Sequence, residues 1–213
     1  MGLNGNAMAP PVPIFRNTDE MTRRMLTETR TVAVLGASDK PHRDSYEITA
    51  LWIDRGYEVF PVNPNLSGLA PPRNTVHGRT VFASLAEIPG SVRIDLVDVF
   101  RNSRHAREAV ESAIAIGARG VWFQEGVVDH AAAVLARTHG LDVAMDVCPY
   151  HELPRLGIDG PNRRFVDAAP EPSPSGTTTP PTINTAPERV SKKATGSERT
   201  EKRGRKRRKL ETG

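Results

Sequence analysis

The stretch TVAVLGASDK, residues 31–40, is read as a buried strand followed by a tight turn. Val32 to Leu35 form an uninterrupted apolar run of strand length, and Gly36 stands where the backbone must turn sharply. Such a turn, followed by a helix start, exposes backbone N–H groups suited to an anion. Ser38 adds a hydroxyl, and Lys40 and Arg43 add positive charge, so the chemistry suits a pyrophosphate. A lone glycine after a strand is also compatible with a plain tight turn. The GxGxxG spacing is absent, and the second strand ends in Val62-Asn63-Pro64, with no acid to take a ribose 2′-hydroxyl. Both features count against a nicotinamide-dependent dehydrogenase.

Outward from this stretch, apolar runs recur at residues 32–35, 59–62, 94–99, 120–123 and 143–145. Helical patterns occupy residues 45–55, 104–116 and 129–138, with Gly56, Gly117 and Gly140 at their ends. A short helix is expected over 21–30, with Thr18 as its N-cap. The alternation predicts an α/β fold: a Rossmann-like parallel sheet of about five strands with helices on both faces. The expected strand order is 3-2-1-4-5. Residues 67–79, broken by Pro71 and Pro72, are expected to form a surface loop, and residues 84–88 one helical turn.

Charge divides the 213 residues unevenly. Residues 160–213 carry a net +7 against +4 for the whole, which leaves −3 on residues 1–159. The basic character therefore belongs to the tail, and the folded part offers no nucleic-acid surface. Residues 1–27 read as a flexible lead-in, and residues 159–213, rich in Pro, Ser and Thr and then in charge, as a disordered tail. The run KRGRKRRKL from Lys202 to Leu210 packs seven cations into nine positions. It resembles a nuclear import signal, or a segment that touches nucleic acid weakly through phosphates. A generic solvated tail is the alternative. No stretch has the roughly 20 apolar residues a membrane span requires, and the reading expects a soluble intracellular protein, cytoplasmic, nuclear or both. The single Cys148 excludes an intramolecular disulfide, and the six histidines show no metal-ligand spacing.

Five segments in order, VAVLGASDKPHRDSY, GYEVFPVNP, DLVDVFRNS, AIAIGARGVWFQEGV and MDVCP with ELPRLG, resemble the small CoA-binding protein family across about residues 28–158. These are stand-alone relatives of the CoA-binding domain of the succinyl-CoA synthetase alpha subunit. The resemblance implies that CoA or a short acyl-CoA binds at the carboxyl ends of the strands. Gly36, Ala37, Ser38 and Lys40 would line the phosphates, and Pro61, Asn63 and Pro64 the adenosine end. Phe100, Arg101, Phe123, Gln124, Glu125 and Gly126 would complete the cleft. Two positions depart from the family: Asn65 and Leu66 follow the VNP turn where relatives often carry lysine, and Val147 replaces the arginine of MDRCP.

Each candidate has a plainer reading. Arg101 at a strand end is either a phosphate grip or a solvated arginine. Gln124 and Glu125 either orient a ligand or cap the helix near Val128. Cys148 is either a thiol that exchanges with that of CoA or a small buried hydrophobe. The expected function is CoA binding without catalysis. The alternatives are the CoA-site subunit of a separately encoded ligase or transferase, and a nuclear interaction protein with a degenerate site.

Overall fold

A computed structural model describes residues 13–162. Expectations about the first twelve residues and about residues 163–213, including the import signal, lie outside the described residues. The chain runs α1 (Asp19–Glu28), β1 (Thr31–Leu35), α2 (Asp44–Asp54), β2 (Glu58–Val62) and α3 (Pro64–Ser67). The hairpin β3 (Thr75–Val76) and β4 (Arg79–Thr80) follows, and then β5 (Leu96–Val99), α4 (Ala106–Ala115), β6 (Gly120–Phe123), α5 (His130–Thr138), β7 (Asp142–Ala144) and α6 (Pro149–Arg155). Thr18 caps α1 by accepting the Met21 N–H. A 3-10 turn occupies Leu85–Glu87, as expected, and another, Ser103–His105, leads into α4.

The five long strands are all parallel, in the order β2-β1-β5-β6-β7. The third apolar run therefore lies beside β1 rather than outside β2, and the expected order of these five runs is corrected to 2-1-3-4-5. Pro61 suits β2 to a margin of this sheet. Its carbonyl faces the outer edge of β2, where it accepts the Phe82 N–H at 2.9 Å, and its nitrogen has no hydrogen to offer a further strand. Phe82 makes one isolated parallel bridge to Val62, and its carbonyl accepts the Asn63 N–H at 2.8 Å. Counted as a strand, that residue restores the doubly wound order 3-2-1-4-5-6.

Strand alternation sorts the core into two layers. Val32, Val34, Leu96, Trp122 and Ala144 pack with α1, α2 and α6 residues such as Leu26, Trp52 and Leu153. Ala33, Leu35, Val97, Val99, Val121, Phe123 and Val143 pack with the alanine-rich faces of α4 and α5. Helices thus cover both faces. Just past the end of β7 the backbone is held by a side chain: Asn17 donates to the Met145 carbonyl at 2.8 Å and accepts the Met145 N–H at 2.9 Å.

The surface loop expected over residues 67–79 is corrected as well. His77 and Gly78 both have positive φ, 48° and 73°, which suits a two-residue hairpin turn between β3 and β4. Val76 is buried there with Leu66 and Val81 as a small third cluster. Helix α6 had no counterpart in the sequence reading, because Pro149 and Pro154 mask it. Pro149 falls in the first turn, where a missing N–H costs nothing.

Candidate functional site

Gly36 has φ +95°, and a Cβ built there would meet the Phe100 carbonyl oxygen at 3.1 Å. The turn thus needs glycine both for its backbone angle and for its closeness to the chain leaving β5. The N–H groups of Gly36 and Ala37 both go to the Val62 carbonyl, at 2.9 and 3.3 Å. These two amides bind the sheet together rather than an anion. Ser38 Oγ accepts the Lys40 N–H at 3.1 Å, and α2 starts at Arg43 without a side-chain cap.

A cavity of about 470 Å³ opens over this turn, lined by Gly36, Ala37, Ser38, Asp39, Lys40, Arg43, Asp44, Asn63, Asn65 and Phe100 among others. Its two cations, Lys40 and Arg43, are matched by two carboxylates, Asp39 and Asp44, so the turn is not a simple positive funnel. Asn63 braces its wall. Its Nδ2 donates to the Ala37 carbonyl at 2.7 Å, and its Oδ1 accepts the Asn65 N–H at 2.9 Å, capping α3. Replacing Asn63 with Ala removes a cap and a bridging bond, and is expected to cost about 1–2 kcal/mol in urea unfolding.

Phe100 and Asp44 also border a second cavity of about 840 Å³. This one is lined by Ile48 and Leu51 of α2, by Arg101 and Asn102, by residues 124–127, and by Cys148, Tyr150 and His151. Arg101 pairs with Glu108 at 3.4 Å, and Glu125 with His151 at 3.0 Å. Gly126, at φ +80°, donates its N–H to Asp146 Oδ1 at 2.8 Å. Ser103 Oγ donates to the Gly126 carbonyl and accepts the Val128 N–H, tying the same turn to the start of the α4 segment. Asp129 caps α5, so neither Gln124 nor Glu125 performs that task. Burial pushes the Cys148 thiol up to about 11, which keeps it protonated near neutrality.

One group inside the sheet was not anticipated. Asp98, on β5, is completely buried, and its carboxylate accepts from Trp52 Nε1 at 2.8 Å and from Gln124 Nε2 at 2.6 Å. Burial raises it to about 7, against the smaller lowering by these two hydrogen bonds. The signal in the sequence was an acid in the middle of the apolar run LVDVF.

The cavities bring together Gly36, Ala37, Ser38, Lys40, Asn63, Phe100, Arg101, Gln124, Glu125 and Gly126. Three expected residues are placed elsewhere. Pro61 is buried in β2 opposite Val34, and Pro64 opens α3 on the surface. Phe123 points into the α4/α5 layer with none of its surface exposed, because it is one residue out of phase with Gln124. Among the described residues no group of His, Cys, Asp and Glu has the makings of a metal site, and no helix is long and apolar enough to cross a membrane.

A family model described as CoA binding domain matches residues 30–154, more than half of the chain. The chain belongs to the CoA binding domain family. The uncharacterized protein YneT of Bacillus subtilis is 33% identical over 126 residues, covering 59% of this chain and 87% of that protein. A hypothetical protein of Pyrococcus horikoshii with a solved structure is 36% identical, with a TM-score of 0.60 over 70% of this chain and 99% of that one. A Thermus thermophilus structure is 28% identical, with a TM-score of 0.59 over 66% and 99%. In this CoA binding domain the two departures from the family pattern have structural settings. Asn65 donates its N–H to Asn63 at the turn cavity, and Val147 packs on the α2/α6 layer while its carbonyl accepts Trp122 Nε1 at 2.8 Å.

Proposed function

We propose that the protein binds CoA or a short acyl-CoA across the two adjoining cavities, and that binding is its role, without catalysis of its own. The observation that carries this reading is the meeting of the two cavities at Phe100 and Asp44, beside the glycine turn after β1 and the end of β5. Here the parallel sheet changes direction of winding, which is where open α/β sheets hold ligands. The smaller cavity, with Lys40, Arg43 and Ser38, suits the phosphates. The larger, with the apolar flank of α2, suits a long flexible arm. Asn63, tied to Ala37, stands where a nicotinamide-binding fold places an acid.

Titration calorimetry of the full chain with CoA, acetyl-CoA, NAD and NADP tests the reading. CoA or acetyl-CoA is expected to bind more tightly than either nicotinamide cofactor, and the reverse order would overturn the proposal.

A further inference from the structure

We propose that Asp98 is a positioning residue that turns the Gln124 side chain so that its carbonyl oxygen, and not its amino group, is presented to the larger cavity, selecting a ligand with an N–H or O–H donor at that point. The inference rests on the reading of the cleft as a CoA site and names the chemistry of one contact within it.

The polarity follows from what each group can do. Trp52 Nε1 is a donor only, and above about pH 8, where Asp98 is ionised, its carboxylate is an acceptor only. With Trp52 on Oδ2 and Gln124 on Oδ1 of Asp98, the group that Gln124 directs at Asp98 must be its NH₂. Gln124 is 5% exposed and lines the cavity, and its Oε1 meets no donor among the described residues. Gln124 Oε1 is not sealed in, since Asn74 Oδ1 is the one fully buried side-chain polar atom without a partner among the described residues; it opens to the cavity, and a ligand that displaces solvent from it must supply the hydrogen in its place. The pantetheine arm of CoA carries two amide N–H groups and a hydroxyl, any of which meets that demand. A chain bearing only carbonyl or phosphate oxygens does not.

Asp98→Asn inverts this arrangement while keeping the shape. The new side chain has one acceptor and one amino group, and Trp52 must take the acceptor. The amino group then faces Gln124, whose amide turns over to accept from it, and an N–H now points into the cavity. Gln124→Met removes the acceptor and retains the volume.

The test has two arms. Side-chain amide exchange of Gln124 is measured by nuclear magnetic resonance on the full chain near pH 8.5, without ligand. The wild-type NH₂ is expected to be protected at least tenfold over a free glutamine, and Asp98→Asn to lose that protection. An unprotected wild-type amide, or equal protection in the variant, would overturn the proposal. In the second arm, affinities for CoA and for adenosine 3′,5′-bisphosphate, its nucleotide end without the arm, are compared at the same pH of 8.5. Both variants are expected to lower the ratio of CoA to bisphosphate affinity by about tenfold or more. A ratio unchanged in Gln124→Met overturns the proposed contact even if Asp98→Asn does not fold. Wild-type protein that binds neither compound removes the CoA reading, and the exchange arm then still decides the orientation.

Discussion

Between pH 4 and pH 8 the domain is expected to lose stability as the pH rises, and Asp98→Asn is expected to abolish that loss. The cause is the buried Asp98 carboxyl, raised to about 7 from an ordinary 3.8. Below pH 4 the group is protonated in the folded and unfolded chains alike. Between the two values the folded chain holds a proton that the unfolded chain has released, so each rise in pH favours unfolding. The slope approaches about 1.4 kcal/mol per pH unit, and across the window the sum is on the order of 4 kcal/mol. Above pH 8 both states are ionised and the loss is complete. This is the opposite of the usual paired carboxylate. Asp19, whose carboxyl is held below its ordinary value chiefly by hydrogen bonding to Arg155, adds stability that disappears only as acid protonates it. Urea unfolding at pH 4.5, 6 and 7.5 measures the slope, and an equal slope in Asp98→Asn would assign it elsewhere. Trp52→Phe, which deletes one of the two donors, should push the Asp98 value higher still and extend the declining limb upward.

Gly36→Ala is expected to destabilise the fold by about 2–4 kcal/mol, through a strained positive φ and a contact that cannot relax. The added methyl would lie 3.1 Å from the Phe100 carbonyl oxygen and 3.2 Å from its carbon. Phe100 cannot retreat freely, because its N–H is bonded to the Leu35 carbonyl at 2.9 Å, at the seam between β1 and β5. Gly56 provides the matched comparison: its φ is +89°, but nothing lies within 4 Å of a Cβ there. Gly56→Ala thus reports backbone strain alone, and the excess cost at Gly36, read by chemical unfolding, reports the collision. Equal costs at the two positions would mean that the seam yields.

The strands were legible in the sequence because each is a short apolar run closed by a turn residue, and period-two alternation needs only local information. Their order was not, since it depends on which edges remain open. Even so, Pro61 carried the clue: a proline whose nitrogen has no hydrogen belongs on a strand edge. The turn residues and Arg101, Gln124, Glu125 and Gly126 were legible as strand-end positions. Phe123, which the resemblance puts in the cleft, lies in the core, because one residue separates the core face of a strand from the cavity face. Asp98 escaped notice because its partners lie 46 and 26 residues away in sequence, and no local pattern announces a contact that distant. The β3–β4 hairpin was hidden by its brevity, although His77-Gly78 is a reasonable turn pair.

The treatment of the two sheet edges bears on how copies of the chain behave at high concentration. At one margin Phe82 occupies the bonding groups of Pro61 and Asn63, and at the other Asn17 occupies both backbone groups of Met145. A neighbouring molecule seeking to add a strand meets a proline at the first and, at the second, a strand of only three residues followed at once by the bonded Met145. Lateral polymerisation by strand addition is thereby discouraged at its two natural starting points.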